Sequence, residues 1–185
     1  MNRLALLDTP IAGLKVIKRQ QLQDSRGFLS RLFCSRELAS CNWPPIAQIN
    51  HTYTARKGTI RGMHFQHPPF SEKKLITCLR GEIWDVAIDI RAESPTFLQW
   101  HGVLLSGTNH FSLSIPEGFA HGFQTITDDV ELLYCHSCEY KTEAEGGLNP
   151  QDNKLMIDWP LKVAEISDRD RAHPLLKDTF KGIKI

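Results

Sequence analysis

The chain alternates apolar and polar residues over short stretches and breaks the alternation with turn-forming clusters, and this pattern restricts its fold more than any other feature. "IAQINHTYT", "KLITCLRGEIWDVAIDI", "FLQWHGVLLS", "FSLSIP", "GFQTIT" and "VELLYCHSCEY" repeat with period two, the spacing of side chains on one face of a strand. Between them lie "ARKG", "QHPPFSE", "RAESPT", "SGTN", "PEG" and "TDD", where Gly, Pro, Asn and Asp supply the backbone angles that reversals need. Many short strands at this spacing predict an all-β sandwich or barrel. Helical periodicity is confined to "SRELAS" and "DRDRAHPLL", both short. At 185 residues the pattern fits a single domain spanning 1–185, since domains usually run to about 100–200 residues.

Charge excludes several partners. Lys and Arg total 22 against 21 Asp and Glu, so the net charge of +1 makes no field that gathers nucleic acid or an anionic membrane. Any anion must be held locally. No apolar run reaches the roughly 20 residues of a membrane helix. The N-terminal "MNRLALLDTPIAGLKVI" lacks the basic-then-apolar layout of a signal peptide, and the five cysteines are odd in number, so a reducing cytoplasm is expected. Cys135 and Cys138 have CxxC spacing, but a structural zinc wants a second such pair and the sequence has none.

The candidate site begins with two histidines. In "PEGFAHGF", Pro116 and Gly118 make a rigid turn that sends His121 into the next strand, and Gly58 is followed six residues later by His64. These spacings resemble the two signatures of the cupin jelly roll, a double-stranded β-helix. Metal-binding cupins continue the first signature His-x-His, because imidazoles two apart on a strand face the same side. Here the second position is Gln66, a weak ligand for a transition metal, with His67 and Glu72 as the available substitutes. From residues alone, His64 and His121 suit a base, part of a metal set, or hydrogen-bonded core rings. A polar barrel interior bringing together His64, Lys74, His121, Tyr134, Arg61 and an acid from "SDRD" contains a base, a cation, a weak acid and anion binders. That set suits proton transfer beside a carbonyl, with no activated serine or cysteine nucleophile in evidence.

Taken together, "DSRGFLSRLF", "QINHTYT", "GTIRGMHFQHPP", "DIRAESPTF", "LSIPEGFAHGF", "EAEGG", "IDWP" and "ISDRDRAHP" resemble the dTDP-4-dehydrorhamnose 3,5-epimerase family over nearly the whole chain. The resemblance implies a cofactor-independent, metal-free isomerase of dTDP-rhamnose and surface-polysaccharide biosynthesis that acts on a nucleotide-diphosphate 4-keto-6-deoxy sugar. It makes His64 the base at carbons 3 and 5, Asp170 its acidic partner with Asp168 as rival, Lys74 the cation near the 4-keto oxygen, and Tyr134 the acid on the opposite sugar face. Tyr140 is implied as the aromatic that stacks on the nucleotide base. Arg26, Gln48, Asn50, Arg61, His121, Glu145 and Arg169 match substrate-binding positions. The family resemblance also implies a homodimer in which the segment carrying Arg26 crosses to the neighbour.

Four places depart from the family pattern: Arg31 replaces a glutamate, Glu72 a glutamine, Arg169 a lysine, and Asn149-Pro150 an Arg-Trp pair. Arg31 and Glu72 change formal charge near the expected nucleotide pocket, which leaves open another nucleotide, such as CDP or GDP, or inversion at one carbon only. A metal-dependent cupin enzyme and a non-catalytic sugar-binding module are the other readings.

Overall fold

The computed structural model describes residues 2–185. In chain order its strands begin with β1 (Leu4–Asp8), β2 (Lys15–Arg19), β3 (Gln21–Asp24), β4 (Gly27–Ser30) and β5 (Gln48–Thr54). There follow β6 (Thr59–Gln66), β7 (Lys74–Arg80), β8 (Glu82–Asp89), β9 (Trp100–Ser106) and β10 (Phe111–Ile115). The last are β11 (Phe119–Thr125), β12 (Val130–His136), β13 (Glu145–Gly147) and β14 (Glu165–Ile166), before one short helix α1 (Asp168–Arg171).

Two antiparallel sheets form a cupin-like jelly roll. One runs β1-β2-β10-β7-β12-β5, and the other β13-β6-β11-β8-β9 with β14 added in parallel to β6. Ile76, Cys78, Leu113 and Leu132 from the first sheet cluster with Ile83, Ala87, Phe119 and Phe123 from the second, so this core is shared between them. Each fully buried aliphatic or aromatic side chain there contributes about 1.5–3 kcal/mol by leaving water. Irregular chain covers the other faces. Leu38 and Trp43 pack on Leu75 and Cys135 of the first sheet, while Leu155, Leu176 and Ile183 pack on Met63, Val86 and Ala120 of the second.

The segment "KLITCLRGEIWDVAIDI" is two strands. It reverses at Gly81, where φ is +73° and a Cβ would meet Thr127 Oγ1 at 2.7 Å. "SRELAS" forms turns and a single 3-10 turn at Ala39–Cys41 in place of a helix. The reason is tertiary: Glu37 turns inward to accept the N–H groups of Arg3 and Leu4, and Leu38 is fully buried. "DRDRAHPLL" contributes only the four residues of α1, whose N-cap Ser167 accepts the Asp170 N–H. Strands β3 and β4 escape the alternation rule because the hairpin they form has no buried residue.

Candidate active site

A cavity of about 290 Å³ opens between the sheets. Strands β6 and β11 supply one wall through Arg61, His64 and His121, while β5, β7 and β12 supply the other through Asn50, Lys74 and Tyr134. Histidines 64 and 121 are cross-strand partners, and the register slips by one residue just beyond them, between His121 and Phe123. The slip depends on two glycines. Gly62 has φ +142°, and a Cβ on it would lie 2.5 Å from the Cα of Gly122. Only bare backbone permits β6 and β11 to approach this closely, and that approach sets where both imidazoles enter the cavity.

His64 Nε2 lies 2.8 Å from Asp170 Oδ1, and Asp170 is 3% exposed at the start of α1. The second carboxylate oxygen accepts the Gly62 N–H at 3.1 Å. Burial works to raise the Asp170 carboxyl pKa, but His64, Gly62 and Ser167 outweigh it and hold it down at about 2. A carboxylate is an acceptor only, so Nε2 carries the imidazole proton and Nδ1, which has no hydrogen-bond partner among the described residues, keeps a free lone pair. Arg169 Nη2 is 3.3 Å from the same Nε2, but it cannot donate to a protonated nitrogen. Arg169 pairs with Glu145 at 3.1 Å and with Asp170 at 3.5 Å.

The facing wall holds a second charged cluster. Lys74, 7% exposed, pairs with Glu72 at 3.2 Å and donates to the His64 carbonyl at 3.2 Å, which fixes its ammonium at the floor of the cavity. Glu72 also holds His136 Nδ1 at 2.8 Å. Burial opposes ionisation of Glu72, yet His136 and Lys74 bring its pKa below the usual value. Tyr134 lies two residues from His136 on the same strand, and its ring meets that of His121 edge-on at 5.9 Å. Burial, reinforced by the charge of Asp85, pushes the Tyr134 phenol far above its ordinary pKa and keeps it protonated. His121 Nε2 is 2.7 Å from Asp85 Oδ1. Burial lowers the pKa of that imidazole against the pull of Asp85.

Gln48, Tyr140, Glu145 and Arg169 also line the cavity. Gln48 Oε1 accepts the Tyr140 N–H, and the Tyr140 hydroxyl donates to Glu145, so the half-exposed aromatic is held in place. Arg26 is elsewhere. It sits in the β3–β4 turn, its side chain 88% exposed and paired with Asp24, and does not reach this chain's own cavity. Arg31 likewise does not line the cavity, because its guanidinium pairs with the buried Glu37. Glu72 does line it, with its charge shared between Lys74 and His136. Asp168, the rival acid, is the first residue of α1 and makes no side-chain contact with His64; of the two, Asp170 reaches it.

Asp85, His136 and His173 were not expected at the site. Asp85 was the one legible case, an acid inside the apolar run "IWDVAIDI". The cupin metal set is not assembled. The Gln66 amide donates to Phe70 and Glu139 carbonyls and accepts the Lys141 N–H, leaving it no free donor atom, and His121 Nε2 is engaged with Asp85. Cys135 packs on the outer face of its sheet, away from the cavity.

Comparison with known proteins shows which family the chain resembles. The model for the family described as dTDP-4-dehydrorhamnose 3,5-epimerase matches residues 8–178. The enzyme of that name from Salmonella typhimurium is 38% identical over 176 residues, 94% of this chain and 96% of its own. A dTDP-4-dehydrorhamnose 3-epimerase from Streptomyces niveus is 36% identical, over 91% of this chain and 82% of its own. The crystal structure of the Legionella pneumophila 3,5-epimerase, in complex with dTDP-4-keto-L-rhamnose, superimposes with a TM-score of 0.90 at 36% identity, covering 98% of each chain. With matches of this extent in both sequence and fold, the chain belongs to the dTDP-4-dehydrorhamnose 3,5-epimerase family.

Proposed function

We propose that this protein inverts carbons 3 and 5 of dTDP-4-dehydro-6-deoxy-D-glucose, forming dTDP-4-dehydro-L-rhamnose, without a cofactor. The observation that carries this is the arrangement of base and acid on facing sheets, His64 on β6 and Tyr134 on β12, with Lys74 of β7 lining the same cavity. Inversion requires such an arrangement, because a single group that removed and returned a proton on one face would regenerate the starting sugar. His64 Nδ1 takes the proton beside the 4-keto group, and Asp170 stabilises the imidazolium that results. Lys74 stabilises the enolate oxygen, and Tyr134, kept protonated by its burial, delivers a proton from the other side. Tyr140 stacks on the base, while Arg61, Arg169, Gln48, Asn50, His121 and Glu145 hold the diphosphate and sugar.

The working form in this proposal is a homodimer. Phe28 and Leu29 of the β3–β4 hairpin are 63% and 62% exposed, and Ile49 and Tyr53 of edge strand β5 are 58% and 52% exposed. A hairpin laid along the β5 edge of a second copy covers both sets and carries Arg26 to that copy's cavity rim. The five free thiols suit a reducing cytoplasm. The test is a panel of dTDP-, CDP-, GDP- and UDP-linked 4-keto-6-deoxy sugars. The dTDP sugar should turn over fastest, with both ring protons exchanged. Preference for another nucleotide, or inversion confined to one carbon, overturns the corresponding part of the assignment.

A further inference from the structure

His173 has no part in the chemistry above, yet it is built into the same corner. Its ring lies so close to Gly147 that a Cβ there would meet it at 2.2 Å, and it packs edge-on against His64 with ring centres 5.6 Å apart. Its Nε2 is buried without a hydrogen-bond partner and stands 3.9 Å from Asp170 Oδ1. A buried polar atom without a partner is unfavourable until something binds it. One ligand atom each from His64, Asp170 and His173 lie within 4.8 Å of one another, the one such trio of His, Cys, Asp or Glu among the described residues.

We propose that His64, Asp170 and His173 form a site for a divalent transition metal of the zinc class, and that filling it switches off the base. Two imidazole nitrogens and one carboxylate oxygen are a borderline donor set that suits zinc and leaves a fourth position open to water. With metal–ligand bonds of about 2.0–2.1 Å, tetrahedral donors sit about 3.3 Å apart. Here Asp170 Oδ1 is 2.8 Å from His64 Nε2 and 3.9 Å from His173 Nε2, two edges that bracket this value, and the third edge is no longer than 4.8 Å. Asp170 is already oriented by the Gly62 N–H and by its place at the start of α1.

The consequence for the base follows from its tautomer. A metal on Nε2 displaces that proton to Nδ1, the nitrogen with the free lone pair, and no group remains to accept a proton from the sugar. Arg169 opposes the metal. Its Nε is 3.5 Å from Asp170 Oδ1, so its charge competes for the carboxylate, although the side chain is 57% exposed and can be held aside by Glu145. Metal binding is independent of the proposed reaction, and only the inhibition rests on it.

Cobalt(II) is the probe. The chelator-treated full-length protein is titrated with cobalt while its visible d–d absorption is followed, and zinc is then added in competition. Wild type should bind one ion per chain, His173→Gln should weaken the affinity by at least about tenfold, and Arg169→Gln should tighten it. No cobalt band in wild type, or equal affinity in wild type and His173→Gln, overturns the site. Where epimerase activity is present, zinc should abolish it at the concentration that displaces cobalt, and His173→Gln should need correspondingly more zinc. Equal zinc sensitivity of the two proteins overturns the switch. A protein with no epimerase activity that still gives the cobalt band overturns the proposed function and leaves the site standing.

Discussion

Replacing Asp170 with asparagine should damage catalysis more than replacing it with alanine, and the hydrogen bonds around the carboxylate say why. Oδ2 accepts the Gly62 N–H and Oδ1 faces His64 Nε2. An asparagine keeps its oxygen on Gly62, because its amide nitrogen cannot accept there. Its NH₂ then points at His64 Nε2, which must give up its proton to receive that bond, and the proton moves to Nδ1. The base is thereby locked in the wrong tautomer, at a cost of about 10²–10⁴-fold in rate. Alanine imposes no tautomer, so part of the rate survives, but it leaves the Gly62 N–H unpaired and costs about 1–3 kcal/mol of stability.

Stability carries an independent signature. The Asp170 carboxyl is held at about 2 against an ordinary 3.8, which amounts to roughly 2 kcal/mol favouring the folded state when the group is ionised. A depressed folded pKa gives stability that is present above pH 3.8 and lost as pH falls towards 2. The gap in unfolding free energy between wild type and Asp170→Asn, measured by urea denaturation, should therefore narrow over that window. Rates come from exchange of the sugar ring protons in deuterated buffer. An asparagine variant with near wild-type exchange refutes the tautomer lock, and a stability gap constant from pH 7 down to the acid limit of folding refutes the depressed Asp170 pKa.

Tyr134→Phe should still exchange the proton beside the 4-keto group while returning mainly uninverted sugar, read as the ratio of exchange to inversion by NMR; an unchanged ratio removes Tyr134 as the acid. Lys74→Met should lower kcat by about 10²-fold or more, with a smaller change in KM, because an enolate forms only after binding. Gly62→Ala should destabilise the fold by more than about 2 kcal/mol in urea denaturation, since its Cβ meets backbone at 2.5 Å in a conformation that L residues resist. Phe28→Asp should yield monomers by light scattering, and loss of activity with dissociation would show that each cavity needs its neighbour.

The period-two alternation reveals β7 through β10 and β12 because each of these strands has one face on the shared core. It says nothing of β3 and β4, whose side chains have no inner face in this chain. It also blurs in β11, where all seven residues are buried, because one face lines the cavity and the other is covered by the C-terminal segment. His64, Lys74 and His121 stand out as polar groups inside apolar strands. Asp170 is recognisable only through the family motif, since it reaches His64 across 106 positions of sequence from a four-residue helix. His136 and His173 gave no such signal. The first reads as one more polar position in "VELLYCHSCEY" and the second as part of a charged loop; only tertiary packing gives His136 its Glu72 partner and brings His173 up against His64 and Asp170.

If His64 is the base for this sugar, both ring-proton exchanges depend on its imidazole. Wild type and His64→Asn are incubated with dTDP-4-dehydro-6-deoxy-D-glucose in deuterated buffer, and the carbon 3 and carbon 5 ring-proton signals are followed by NMR, with the fold of each protein checked by circular dichroism. Wild type should lose both signals as deuterium enters, and the folded variant should keep both. Loss of either signal at near wild-type rate in His64→Asn would mean that another group is the base at that carbon.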